Sequence, residues 1–252
     1  MTANGGRLAR IRRHPVKTLG GEDLAATDLI QGAALPGDRA FGVLHDDALR
    51  HLDGGALTRW LPKSAFLRGA AAPALQAVRS GWDGDRLWFT HPDRPDLSID
   101  PDRDGDRLIA WLAPLWPAPK APPARLVRGP QPLTDSRHPR LSILSLSSLA
   151  ALEDRLGQPI GIERWRGNLW VDGWPVLAER DLIGQDLRIG GAVLRVVKPI
   201  ERCPAVEVSA DTGQRDGDML ADLTVFCGGP DFGIFAEVIA PGPIALNDKV
   251  TT

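Results

Sequence analysis

The chain has 252 residues, 43% of them hydrophobic, enough to bury one large core or two modest ones. Its formal net charge is −2 and its pI about 6.2, so no global field draws nucleic acid or an anionic membrane, and any basic site must be local. Met1–Gly6 lacks the apolar core of a leader, and no stretch approaches the ~20 apolar residues of a transmembrane helix, which predicts a soluble cytoplasmic protein. In that compartment Cys203 and Cys227 stay as thiols.

The 27 Gly and 22 Pro recur between short β-branched or aromatic runs and predict a strand-and-turn architecture. Leu8–His14 reads as the first strand, closed by Pro15 and by the Gly20-Gly21 turn after Lys17 and Thr18. Asp23–Leu29 reads as the second, Pro36-Gly37-Asp38-Arg39 as a turn, and Ala40–His45 as a half-buried strand. Arg86–His91 and Leu97–Asp100 are expected to join across Asp93-Arg94-Pro95-Asp96. Arg107–Trp116 is the helix of this half, with Leu108, Ile109, Trp111, Leu112, Leu115 and Trp116 on one face. The proline-dense run from Pro117 to Pro123 cannot continue it and reads as a stiff linker, which divides the chain into domains at 1–122 and 123–252.

In the second half Ser147 or Ser148 is expected to cap a short helix through Leu156, with Gly157 just past its end. Ile162–Asp172 is predicted as a strand carrying Arg164-Trp165-Arg166-Gly167-Asn168. Asp186–Ile189 and Ala192–Lys198 meet across Gly190-Gly191 as a hairpin. Ile200–Val208 follows, then a helical turn at Asp218–Leu223 and a closing strand at Phe232–Ile239.

Chemistry is sought by elimination. His14, His45, His51, His91 and His138 form no i,i+4 pair and have no Cys-x-x-Cys partners, which argues against a zinc site. No Gly-x-Ser-x-Gly elbow, P-loop or dinucleotide fingerprint follows a predicted strand, which argues against a hydrolase, an NTPase or a Rossmann dehydrogenase. Asp135, Ser136 and His138 lie too close together to be presumed a triad. What remains is a basic set and one thiol. Lys17, Arg39 and Arg59 stand at turns, where a convergent group would suit a phosphate or pyrophosphate, although each charge taken singly also fits a solvated surface residue. Cys203, between Arg202 and Pro204, reads as a partly exposed reactive thiol or as a small buried hydrophobe, and Cys227 as structural.

These residues bring the chain to a family. Across almost its whole length it resembles the MOSC proteins, named for the C-terminal domain of molybdenum cofactor sulfurase, preceded by the family's smaller N-terminal β-rich domain. The resemblance rests on His14-Pro15-Val16-Lys17-Thr18-Leu19-Gly20-Gly21-Glu22, Gly37-Asp38-Arg39-Ala40-Phe41 and Leu57-Thr58-Arg59 in the first half. In the second it rests on Asp135-Ser136-Arg137-His138-Pro139, Ser147-Ser148-Leu149, Trp165-Arg166-Gly167-Asn168, Ile183-Gly184 with Leu187-Arg188-Ile189-Gly190, Arg202-Cys203-Pro204 and Asp211-Thr212-Gly213. It implies a mainly β, α+β fold with a β-barrel MOSC domain and a few short helices.

It also implies that the molybdenum cofactor, a molybdopterin, is bound with Cys203 as the catalytic residue and metal ligand. Lys17, Thr18, Arg39, Arg59, Arg166, Asn168 and Arg202 would hold the cofactor, with Ser136 and Arg137 at the rim. One soft thiolate suffices because the pterin dithiolene brings the other sulfurs. The family often has Tyr at the place of His14, and Phe-Arg-Pro-Asn where this chain has Trp165-Arg166-Gly167-Asn168. A family-level expectation of pyridoxal phosphate binding travels with the resemblance, although the 252 residues themselves contain no pyridoxal-dependent domain. No Cys-x4-Cys-x2-Cys set for an iron–sulfur cluster follows.

The implied activity is a molybdenum oxidoreductase similar to the amidoxime-reducing proteins. It would act on a small N-hydroxylated or N-oxide substrate, with electrons from a separate ferredoxin or cytochrome b5-like protein and its reductase. The alternatives are a carrier of sulfur or cofactor through a Cys203 persulfide, and a binding-only member of the fold.

Overall fold

The computed structural model describes residues 5–252; residues 1–4, part of the Met1–Gly6 stretch considered for a leader, lie outside it. The strands and helices in chain order are β1 (Gly6–Arg13), β2 (Glu22–Leu24), β3 (Ala26–Leu29), β4 (Phe41–His45), β5 (Arg79–Asp83), β6 (Arg86–His91), β7 (Arg94–Ile99), α1 (Gly105–Leu112), β8 (Pro123–Arg128) and β9 (Leu141–Ser145). Then come α2 (Leu146–Leu156), β10 (Leu169–Asp172), β11 (Asp186–Ile189), β12 (Ala192–Glu201), α3 (Met219–Cys227), β13 (Asp231–Ala240), β14 (Gly242–Ala245) and β15 (Lys249–Thr251). Among the described residues no helix is long and apolar enough to cross a membrane.

The main sheet runs β10-β9-β13-β12-β11-β15-β1 and closes where β1 pairs with β10, forming a seven-stranded barrel with β2 attached to β1. All its pairs are antiparallel except β9–β10. Closure removes the open edges that would otherwise seek partners. Alternate residues turn inward, so Leu8, Ile11, Leu141, Ile143, Leu169, Val171, Leu187, Ile189, Leu194 and Ile234 fill the interior. Each side chain of this size contributes about 1.5–3 kcal/mol by leaving water.

The first half builds a second core. β5-β6-β7 form a meander, and β4 pairs with β8. Val16, Phe41, Val43, Leu75, Val78, Leu87, Phe89, Leu108, Trp111 and Leu112 pack between these strands and α1. The mainly β architecture with few helices is as expected. We keep 1–122 and 123–252 as a proposed division of the chain, with sheets crossing it both ways: β1 is a stave of the barrel, and β8 pairs back to β4.

Several local expectations are corrected. Asp23–Leu29 divides into β2, paired with β1, and β3, paired with β14. β5 was not anticipated, and β7 starts at Arg94, inside the expected turn. α1 stops at Leu112 and continues as a 3-10 turn, Ala113–Leu115, because Pro114 has no N–H for the next helical bond. The cap of α2 is Ser145, whose Oγ accepts from the Ser148 amide at 3.2 Å, while Gly157 ends the helix at φ 68° as expected.

Ile162–Asp172 is the largest correction. Glu163–Trp165 is a 3-10 turn, Arg166 is left-handed at φ 51°, and the strand begins only at Leu169. A Cβ on Gly167 would lie 2.4 Å from Leu144 Cδ1, so this glycine permits close approach to β9. The Arg-Trp-Arg-Gly-Asn element is therefore a corner, not a strand.

Glu179 tests the packing behind α2. It is fully buried and accepts from Ser148 Oγ at 3.0 Å. Burial raises its pKa, against its own amide, Ser148 and Arg180. The folded protein therefore holds this proton more tightly than the unfolded chain does. The stability it contributes is complete at low pH and is lost as pH rises through the folded value. Glu179→Gln should raise the melting temperature more at pH 8 than at pH 5, by about 2–4 °C for each kcal/mol relieved. Equal shifts at both pH values in thermal unfolding would refute it.

Candidate functional site

The end of β1 and the segment after it carry the first half of the site. The His14 amide donates to Asp38 Oδ1 at 2.7 Å and the Arg39 amide to the His14 carbonyl at 2.6 Å, so the turn before β4 locks against the end of β1. The Lys17 amide donates to the Phe41 carbonyl at 2.8 Å. Asp38 is buried and ion-paired with Arg39, which explains why the Pro-Gly-Asp-Arg turn needs its acid as well as its bend.

The corner at Arg166 carries the second half. Arg39 Nη2 donates to the Arg166 carbonyl at 3.1 Å, and Arg166 Nη1 donates to the carbonyls of Thr18 at 3.1 Å and Gly20 at 2.8 Å. Thr18, Arg39 and Arg166 are also three of the five non-glycine residues with positive φ among those described, the others being Leu177 and Asn247. Each such backbone costs about 1–3 kcal/mol and persists only where its surroundings enforce it. Strain thus gathers where the two halves of the chain meet.

The electrostatics are those of crowded cations. Burial, then the charges of Arg39 and Arg12, push the Arg166 guanidinium down to about 9, with Asp38 and Asp135 acting the other way. Burial, then the charges of Arg166, Arg39 and Arg12, hold His14 well below the usual imidazole range, so it is neutral at physiological pH. Its Nδ1 lies 2.8 Å from the Gly20 carbonyl. Burial lowers Lys17 despite its ion pair with Asp135, and the Lys17 charge in turn keeps the exposed Asp135 carboxyl low. Among the described residues that line the cleft here, two buried donors, Arg166 Nη2 and Arg12 Nε, have no partner. An unpaired buried donor costs about 1–3 kcal/mol, a penalty that an anion could relieve. Arg12, His14, Gln76, Glu163 and Arg166 line a narrow cleft here.

Cys203 is exposed and begins a 3-10 turn, Pro204–Glu207. That turn touches the cation cleft through Gln76, whose Nε2 donates to the Ala205 carbonyl at 3.0 Å. Cys227, at the end of α3, is buried, and burial pushes its thiol up to about 11.

The expected residues divide into three groups. Lys17, Thr18, Arg39 and Arg166 meet, although the Thr18 hydroxyl is committed to the Leu67 carbonyl at 2.7 Å. Arg59 and Arg137 line a separate cleft of about 360 Å³ with His45, His51 and Trp60. Lys17 binds the loop that leads to this second cleft: its Nζ donates to Leu133 O at 2.9 Å and pairs with Asp135, and Ser136 and Arg137 follow in sequence. The Ser136 hydroxyl accepts from the His138 amide at 3.2 Å.

Asn168 and Arg202 face inward to the scaffold. The Asn168 side chain is 2% exposed, accepts from Ser142 N at 3.1 Å and Ser142 Oγ at 2.9 Å, and donates to the Arg12 carbonyl at 3.2 Å, tying β1, β9 and β10. Arg202 directs its fork to the carbonyls of Trp165 at 2.9 Å and Phe232 at 2.8 Å. Arg12, Asp38, Gln76 and Glu163 were missed. Arg12 and Asp38 had legible signals, a basic residue ending a strand and an acid inside a turn, whereas Gln76 had none.

Fold and cleft together define a mainly β barrel protein with a cationic cleft flanked by one exposed thiol. A family profile for the MOSC domain matches residues 131–251, and over that segment the chain belongs to the MOSC domain family, which is associated with the molybdenum cofactor. Among solved structures it is similar to the YuaD protein from Bacillus subtilis, with 15% identity, 98% of this chain and 94% of that chain covered, and a TM-score of 0.49. It is also similar to YiiM from Geobacillus stearothermophilus, with 19% identity, 44% and 52% covered and a TM-score of 0.35. For YiiM from Escherichia coli the values are 20%, 44%, 52% and 0.34. No curated protein matches the chain.

The unpaired donors predict an anion response. Pyrophosphate, compared with chloride at equal ionic strength, should raise the melting temperature, by about 2.7 kcal/mol of stability at a hundredfold excess over Kd. Arg166→Met should abolish the pyrophosphate-dependent part whatever its own baseline. A variant that keeps the full shift would place anion binding elsewhere.

Proposed function

We propose that the protein binds the molybdenum cofactor and reduces N-hydroxylated or N-oxide compounds. The observation that carries this reading is the pair of buried, unpartnered guanidinium donors on Arg166 and Arg12 in a cleft whose neighbouring turn presents the exposed Cys203. The donor set fits an anionic group, since Lys17, Arg39 and Arg166 crowd positive charge that a phosphate would offset. These three would hold the phosphate end, and Arg59, Ser136 and Arg137 would lie along the adjoining cleft. Cys203 would supply the soft ligand. When bound, the cofactor supplies two-electron oxygen-atom chemistry, and the chain supplies binding and electrostatics. Overall the substrate takes up two electrons and two protons and its N–O bond breaks with release of water, an N–OH becoming N–H and an N-oxide becoming the free amine. Separate redox proteins, a ferredoxin or a cytochrome b5-like protein with its reductase, would deliver the electrons.

The exposure of Cys203 favours a second reading, in which the thiol carries a persulfide and hands on sulfur. Protein from a host that makes the cofactor separates the two. We expect about one molybdenum per chain by plasma mass spectrometry, and at least a tenfold loss of turnover in Cys203→Ala. Metal-free protein from that host, or full turnover in the variant, would overturn the first reading. An extra sulfur on Cys203 without molybdenum would establish the second.

A further inference from the structure

Two arginines cross-brace the thiol turn and the cation corner. Arg164, buried two residues before Arg166, donates from Nη1 to the Val206 carbonyl at 2.9 Å, three residues past Cys203. Its fork also grips Asp216 at both oxygens, 2.8 Å to Oδ1 and 2.6 Å to Oδ2. In the opposite direction Arg202, just before Cys203, donates to the Trp165 carbonyl at 2.9 Å, and its guanidinium lies 5.3 Å from the Trp165 ring centroid. Each segment thus holds the other.

The backbone from Cys203 onward is held by one bond within the turn and at three further carbonyls by other segments. Cys203 O accepts from the Val206 amide at 3.1 Å, Ala205 O from Gln76 at 3.0 Å, Val206 O from Arg164, and Glu207 O from the Asp216 amide at 3.1 Å. An exposed thiol is therefore mounted on a turn that has little freedom to move. Arg164 is central because its side chain links the 3-10 turn leading to Arg166 both with the Cys203 turn and with Asp216, whose amide holds that turn.

We propose that Arg164, set by Asp216, is a positioning residue that fixes the Cys203 turn at the edge of the cation cleft. The role of Cys203 beside that cleft rests on the function proposed above, whereas the brace can be tested without cofactor. Two planar N–H donors reaching two acceptors at fixed angles are a task for arginine, which lysine cannot reproduce.

The test reads the electric potential at the sulfur of metal-free protein. Cys203 is alkylated with neutral iodoacetamide and with anionic iodoacetate, both followed by peptide mass spectrometry. The anionic-to-neutral rate ratio is divided by that of the unfolded chain. A thiol held beside the cations favours the anionic reagent, on the order of fivefold. Arg164→Lys keeps the net charge and Asp216→Asn makes it more positive, so bare electrostatics would leave the ratio unchanged or raise it. Loss of position lowers it toward the unfolded value in both. Should Arg164→Lys fail to fold, Asp216→Asn decides, since its carboxylate is partly exposed. A high wild-type ratio that either folded variant retains overturns the brace alone. A wild-type ratio equal to that of the unfolded chain overturns the brace together with the shared cavity of the proposed function.

Discussion

Arg166 joins the two halves of the chain through a backbone that no strand could supply. Its left-handed φ turns the corner after Trp165, so its guanidinium reaches the Thr18 and Gly20 carbonyls while its own carbonyl receives Arg39. Three segments far apart in sequence become one surface through these bonds. Thr18 and Arg39 adopt the same left-handed backbone, so the strain is shared by residues that also bond one another. The barrel makes this sustainable, because β1 enters it beside β10 and fixes both ends of the junction.

Crowding these cations has an electrostatic consequence. Arg12, Lys17, Arg39 and Arg166 are answered by Asp38, Asp135 and Glu163, with Asp38 buried and Asp135 largely exposed. The buried acid serves the architecture, since it pairs with Arg39 and also accepts the His14 amide. The exposed one lies where an incoming anion could replace it as the partner of Lys17. His14 adds no charge to the cluster, because burial and its arginine neighbours keep it neutral. An imidazole at this place therefore fills space between the carbonyls of Gly20 and Gly167 without worsening the repulsion.

The sequence made the barrel legible wherever periodicity and turn chemistry agreed, as in the Gly190-Gly191 hairpin between β11 and β12 and in β13. It failed where tertiary contact overrode pattern. The run Ile162–Asp172 has strand-like composition, but Arg166 gains three long-range hydrogen bonds by leaving the extended region, and no local signal encodes those partners. Of the site itself, the basic residues at turns were legible because turns bring side chains together. Gln76 was not, because it sits on a short 3-10 turn and matters only for a carbonyl more than a hundred residues away.

The same distinction explains the altered roles of Asn168 and Arg202. Both lie close to Arg166 or Cys203 in their motifs, and a motif does not say which of its members faces the cleft and which faces the scaffold. Asn168 presents both ends of its amide to β1 and β9 and is shut off from water, so its carboxamide braces the scaffold. Arg202 likewise aims its fork at two backbone carbonyls, so its charge is lodged behind the thiol turn. A site that must hold crowded cations apart needs such inward-facing polar groups as much as outward-facing ones. They set the spacing at which the cations stand from one another.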